Sequence, residues 1–174
     1  MWLVSTFLIW WLRSGRYRWS WIRRQLFECR YLTTALPEIS SLEEIEACLK
    51  QVKWTMDGPL HLYDSISYPQ TVWAKKKDDC DGFAVLAAEL LLRWTAAADP
   101  VLVTAIVRPT QSSHTVCAFR HGQGLLFFDN DELRRGDFQE YGDVVAQFTR
   151  SAKSLICWDV RNPTTLEMIE FHRL

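Results

Sequence analysis

The sequence predicts an α+β fold in which an apolar helix packs on an antiparallel β-sheet, with a helical arm on its N-terminal side. Three observations carry this reading. Apolar residues recur at helical spacing from Gly82 to Ala98, as Phe83, Ala84, Ala87, Leu90, Leu91 and Trp94. The pattern then turns to β in "VLVTAIVR" (101–108), "HTVCAFRH" (114–121) and "GLLFFDN" (124–130), the last two joined by a short "HGQG" turn. The length of 174 residues allows one sizeable core and an added arm, not two independent domains.

The elements follow in chain order. Residues 1–36 form the arm, which starts with about eleven mostly apolar residues and continues with arginines at 13, 16, 18, 23 and 24. Five of the nine tryptophans (Trp2, Trp10, Trp11, Trp19 and Trp21) lie in this stretch. The apolar run is shorter than the roughly 20 residues a spanning helix needs. It also lacks the preceding positive charge and small-residue cleavage site of a secretory signal. Three readings stay open for it: a helix packed on the domain, an interfacial membrane anchor with snorkelling arginines, or a docking surface for a protein partner through residues 1–24. Trp21, Leu26, Phe27 and Tyr31 continue at helical spacing up to Pro37.

Residues 37–174 form the main domain. Its first helix starts at Ser40 or Ser41 as cap, has acids in the first turn, and places Leu42, Ile45, Leu49 and Val52 on one face. Residues 55–71, with Gly58, Pro59 and Pro69, read as a loop. Asp99-Pro100 closes the long helix before the strands. A short helix is expected near 139–149, a strand at 154–160, and a closing element of either type over 164–172.

Composition narrows the function. The chain is 48% hydrophobic and 24% charged with a net charge of −1, so neither nucleic acid nor an acidic substrate is expected as its main partner. Cys29, Cys48, Cys80, Cys117 and Cys157 are odd in number, scattered and without C-x-x-C spacing. They form neither a disulfide framework nor a zinc motif, and they suit a reducing compartment, so a cytoplasmic protein, free or membrane-peripheral, is expected.

The chemistry gathers around Cys80, in "KKKDDCDGFAVLAAELL" (75–91). Asp78 and Asp79 precede the helix and either can cap it, while Asp81 suits the positive end of the macrodipole. Counting by three and four from Cys80 gives Ala84, Ala87, Leu91 and Trp94, the apolar face, so the sulfur sits on the first turn facing the domain. The helix terminus favours an anionic sulfur there. The three neighbouring aspartates oppose it, so a cationic partner is required.

Of the four histidines, His61 falls in the Gly-Pro loop, His121 beside a turn and His172 next to the C-terminal residues. His114 opens an apolar strand, and Asp129 ends the strand expected to pair with it. With the turn near 121–124 the two come close to opposite each other, within reach of a carboxylate–imidazole hydrogen bond. Cys117 points away from His114 by strand alternation. Cysteine at a helix start, histidine on a strand and acid on the next strand make a set of nucleophile, base and orienter. The same three side chains fit common zinc sites poorly, and neither a metal nor another cofactor is expected.

"KKDDCDGFAVLAAELL", "HTVCAF" and "LLFFDN", in that order, resemble the transglutaminase-like superfamily, the papain-fold group that includes bacterial transglutaminase-like cysteine peptidases. The resemblance spans roughly residues 40–132. It implies a papain-like core, Cys80 as nucleophile, His114 as base and Asp129 as orienting acid. It also implies acyl transfer or amide hydrolysis on a protein or peptide, with water or an amine resolving a thioester. The chain carries Asp78 where family members commonly have glycine. For the oxyanion, the Cys80 backbone N–H is one donor, and Trp54 or Gln70 is a candidate for a second. The alternative from a different class is an inactive module of the same fold that docks to a membrane or a larger assembly.

Overall fold

The computed structural model describes residues 10, 14–56, 65–95, 98–152 and 154–173. Of the sequence expectations, Trp2, Trp11, His61 and residues 57–64 of the Gly-Pro loop lie outside the described residues.

Helix α1 (Arg16–Arg23) continues through a π turn (Arg24–Glu28) and a 3-10 turn (Cys29–Tyr31). Its buried side is polar. Ser20 Oγ accepts the N–H of Ile66 at 2.9 Å, Arg24 donates to the carbonyls of Ile66 and Ser67, and Glu28 accepts the N–H of Tyr68. These bonds satisfy the extended backbone at 65–68, which has no strand partner among the described residues.

Helix α2 (Leu42–Leu49) starts at a reciprocal cap: Ser41 Oγ accepts the N–H of Glu44 at 3.2 Å, and the Glu44 carboxylate accepts the N–H of Ser40 at 2.7 Å. Both expected capping serines therefore take part. Strand β1 (Lys53–Trp54) runs parallel to β2 (Lys77–Asp78), with Trp54 opposite Asp78. Between them lies α3 (Pro69–Lys75), a correction to the loop expected over 55–71. Pro69 occupies the first helical position, where its missing N–H costs nothing, so it begins this helix instead of marking irregular chain. Helix α4 (Cys80–Trp94) ends four residues before the predicted Ala98, where Thr95 turns extended.

Six strands form one antiparallel sheet: β3 (Val101–Arg108), β4 (His114–His121), β5 (Gly124–Asp129), β6 (Glu132–Phe138), β7 (Ser154–Arg161) and β8 (Met168–Arg173), in the order β6-β5-β4-β3-β7-β8. Strands β3 to β6 make a meander, and α5 (Tyr141–Phe148) carries the chain from β6 across to β7. Gly122, at φ +63°, supplies the left-handed residue of the β4–β5 turn. The closing element is a strand, β8. Strand β6 was not expected; only Phe138 of "ELRRGDF" is buried, so no apolar alternation announces it. Its charges suit a sheet edge, where they discourage pairing with another chain.

Strand alternation sends the sheet's side chains into two cores. Leu102, Cys117, Phe119, Leu126 and Phe128 join α2 and the buried face of α4. Val103, Ala105, Val116, Ala118 and Phe127 meet Val144 and Val145 of α5 on the other side. Thus α4 is held along its length with its first turn at one end of the sheet. The fold is α+β, as expected.

Candidate active site

The site is built where α4 starts and strands β4 and β5 meet its first turn. Asp79 is the N-cap: its Oδ1 accepts the N–H of Asp81 at 3.1 Å, and Asp78 Oδ1 accepts the N–H of Asp79 at 3.0 Å. The chain folds so tightly here that a Cβ on Gly82 would lie 2.3 Å from the Asp78 side chain. The room that Asp78 takes in this turn is therefore made at position 82. Cys80 becomes the first helical residue, half-buried, at the positive end of the helix macrodipole.

His114 is the first residue of β4 and Asp129 the last of β5, so both stand at the end of the sheet. The observed register pairs Cys117 with Phe128, and extending it by one residue sets Asp129 against Val116. His114 and Asp129 are therefore diagonal neighbours, not directly opposed. A two-residue offset keeps both side chains on one face. His114 Nε2 lies 2.7 Å from Asp129 Oδ1. The edge of Phe148 meets the imidazole from α5, with ring centroids 5.7 Å apart, and restricts how the ring can turn.

The electrostatics of this corner favour an imidazolium. Burial by itself favours the neutral ring, but hydrogen bonds to Asp129 and Cys80, with the charges of both, outweigh it and push the His114 pKa up to about 10. Burial opposes the Asp129 charge too, yet the hydrogen bond and charge of His114, with help from Arg134 at 3.7 Å, hold that carboxylate below its usual range. Asp129 takes Nε2, which leaves Nδ1 as the second ring nitrogen.

Asp81 does more than complement the macrodipole. Its carboxylate is completely buried and forms an ion pair with the guanidinium of Arg16, reached from α1. Beside this pair, Tyr17 carries the Arg161 guanidinium over its ring at 3.5 Å, and Arg161 Nε bonds Asp159 Oδ2 at 2.8 Å. Sequence reasoning missed Arg16 because it sits among arginines and tryptophans that look superficial as a group. The available signal was the fourfold spacing of Arg16, Ser20, Arg24 and Glu28.

Asp79, Cys80 and Asp81 bring three ligand-type atoms within 4.8 Å of one another. Two of the three already have other work: Asp79 caps the helix and Asp81 faces Arg16. Of the two oxyanion candidates, Trp54 lies opposite Asp78 on a strand paired with the one that leads into α4. Gln70 lines a surface pocket with Tyr68, Val85, Glu89 and Leu92, further along α4. Cys117 is buried in the α4-side core, and no disulfide joins any of the five cysteines.

No family model matches the chain, and no curated protein matches it. Among solved structures it is similar to Legionella pneumophila LapG in its calcium-bound form, at 15% identity and a TM-score of 0.49 over 67% of this chain and 62% of that one. The EGTA-treated form gives 14% identity and a TM-score of 0.47 over 73% and 68% of the two chains. The chain thus spans less than two thirds of the calcium-bound LapG chain, and the likeness is a distant one at the level of the fold.

Proposed function

We propose that Cys80, His114 and Asp129 act as nucleophile, acid–base and orienting acid in amide hydrolysis or acyl transfer on a protein or peptide. The observation that carries this reading is the 2.7 Å bond between Asp129 and the His114 imidazole, whose charged form is also favoured by Cys80 at the helix start. An imidazolium is the cation that an anionic sulfur among three aspartates requires. The sulfur attacks the amide carbon and forms a C–S bond. His114 gives its proton to the amine as the C–N bond breaks. Water or a second amine then adds to the thioester, His114 takes the proton, and the sulfur leaves. The Cys80 N–H, at a helix position without an intrahelical acceptor, is the first oxyanion donor in this reading.

Alkylation of the intact protein by iodoacetamide near neutral pH, read residue by residue by mass spectrometry, tests the proposal. Cys80 should react faster than Cys29, which is exposed but has no such surroundings. His114→Ala should slow Cys80 by about 10²-fold or more, the usual worth of a positioned acid–base group. Equal rates at Cys80 and Cys29 would sink the idea.

A further inference from the structure

The arm turns the usual burial pattern inside out. On α1 and its π turn the side chains facing the domain are Arg16, Tyr17, Ser20, Arg24 and Glu28. Those facing outward include Trp21 at 62% exposure, Leu26 at 66% and Phe27 at 61%, with Trp19 and Ile22 also exposed. A helix stabilised only by its own domain would bury the second set and expose the first. The inward charges hold the helix in place through Asp81 and the backbone at 65–68, so the aromatic face is fixed outward. The described cations of the arm that stay outward are Arg18 and Arg30: Arg16 and Arg24 face the domain, and Arg23 pairs with Glu28, the single acid of residues 1–32. Arg18 is exposed on the outward face itself, and Arg30 and Lys75 both approach the Tyr31 ring at the end of the arm. Tryptophan with arginine on an outward helical face is the composition of a layer between lipid tails and anionic headgroups.

We infer that this face docks the protein to an anionic lipid bilayer, with Trp19, Trp21, Leu26 and Phe27 in the headgroup boundary and Arg18, Arg30 and Lys75 on the phosphates. The rigid link from Arg16 to Asp81 then sets Cys80 at a fixed height and orientation above the membrane.

Co-sedimentation of the full chain with vesicles tests this. It should pellet with phosphatidylcholine vesicles that contain phosphatidylglycerol, stay in solution with phosphatidylcholine alone, and be released by added salt. Trp21→Ser/Leu26→Ser/Phe27→Ser, three exposed positions, should leave the circular dichroism unchanged and weaken vesicle binding by about tenfold or more, as loss of membrane-buried apolar area requires. Arg18→Glu/Arg30→Glu should remove the preference for anionic vesicles. The inference is overturned by equal pelleting with both vesicle types, by no pelleting with either, or by a triple variant that binds like the parent. It is also overturned if sedimentation velocity shows a dimer that the triple variant abolishes, which makes a second copy of the chain the occupant.

Discussion

Two acid–cation pairs flank Cys80, and they differ in burial. His114 and Asp129 stand at the rim of the sheet with side chains 22% exposed, and one partner is a group that can gain and lose a proton. Arg16 and Asp81 are 2% and 0% exposed, and the guanidinium keeps its charge at any ordinary pH. The pair at the rim is open to solvent and its cation can gain and lose a proton, as the proposed chemistry requires. The interior pair can only fasten: it ties the arm to the first turn of the cysteine helix. Two aspartates with similar prospects in the sequence thus have different duties, decided by depth and by partner.

The largest expected effect breaks the interior pair. Arg16→Leu leaves the Asp81 carboxylate buried beside Cys80 without its cation, and should destabilise the fold by about 3–5 kcal/mol in urea denaturation. Asp81→Leu should cost a similar amount by stranding the guanidinium. The double variant Arg16→Met/Asp81→Leu removes both charges, so it should lie closer to the parent than either single change. If the double variant loses the sum of the two single losses, the pair is not coupled, and the arm is held by its bonds to 65–68 alone.

The rim pair should show itself in pH dependence. With the His114 pKa at about 10 in the fold against an ordinary 6.5, the pairing stabilises fully below pH 6.5 and fades as pH rises towards 10. Asp129, held below the usual range, loses its share as pH falls through that lowered value. Asp129→Asn should therefore cost most stability at mildly acidic to neutral pH and little near pH 10. NMR of the imidazole nitrogens should show the His114 titration moved to lower pH in that variant. A His114 ring that titrates near 6.5 in the parent would remove the imidazolium from the proposed mechanism.

The contrast also explains what could be read from the sequence. Strands β3, β4 and β5 were legible because their residues alternate between two buried faces. The rim residues were legible because a short turn between two clear strands leaves little freedom in register. The remaining freedom was a two-residue shift of register, which turned a directly opposed pair into a diagonal one on the same face. Strand β6 was not legible because an exposed edge leaves no apolar period. Helix α3 was hidden by Pro69, which looks like a breaker unless the helix is known to begin there. The interior pair was illegible for a different reason: a buried arginine is recognised only by its partner, and Asp81 lies 65 residues away in the chain.

The smallest effect concerns Asp79, the third acid, which touches the comparison from the side. It accepts the N–H of Asp81 and fixes the turn from which both Cys80 and Asp81 project. Asp79→Ala should cost about 1 kcal/mol, the usual worth of an N-cap. Asp79→Asn should cost far less, since an amide oxygen caps as well as a carboxylate. Its value lies in the difference between the two. If both substitutions are equally destabilising, the negative charge at position 79 is what matters, which would make Asp79 a further participant in the electrostatics around Cys80. If only alanine is harmful, Asp79 acts as a hydrogen-bond acceptor, and the charges that govern the cysteine are those of His114, Asp129 and the interior pair.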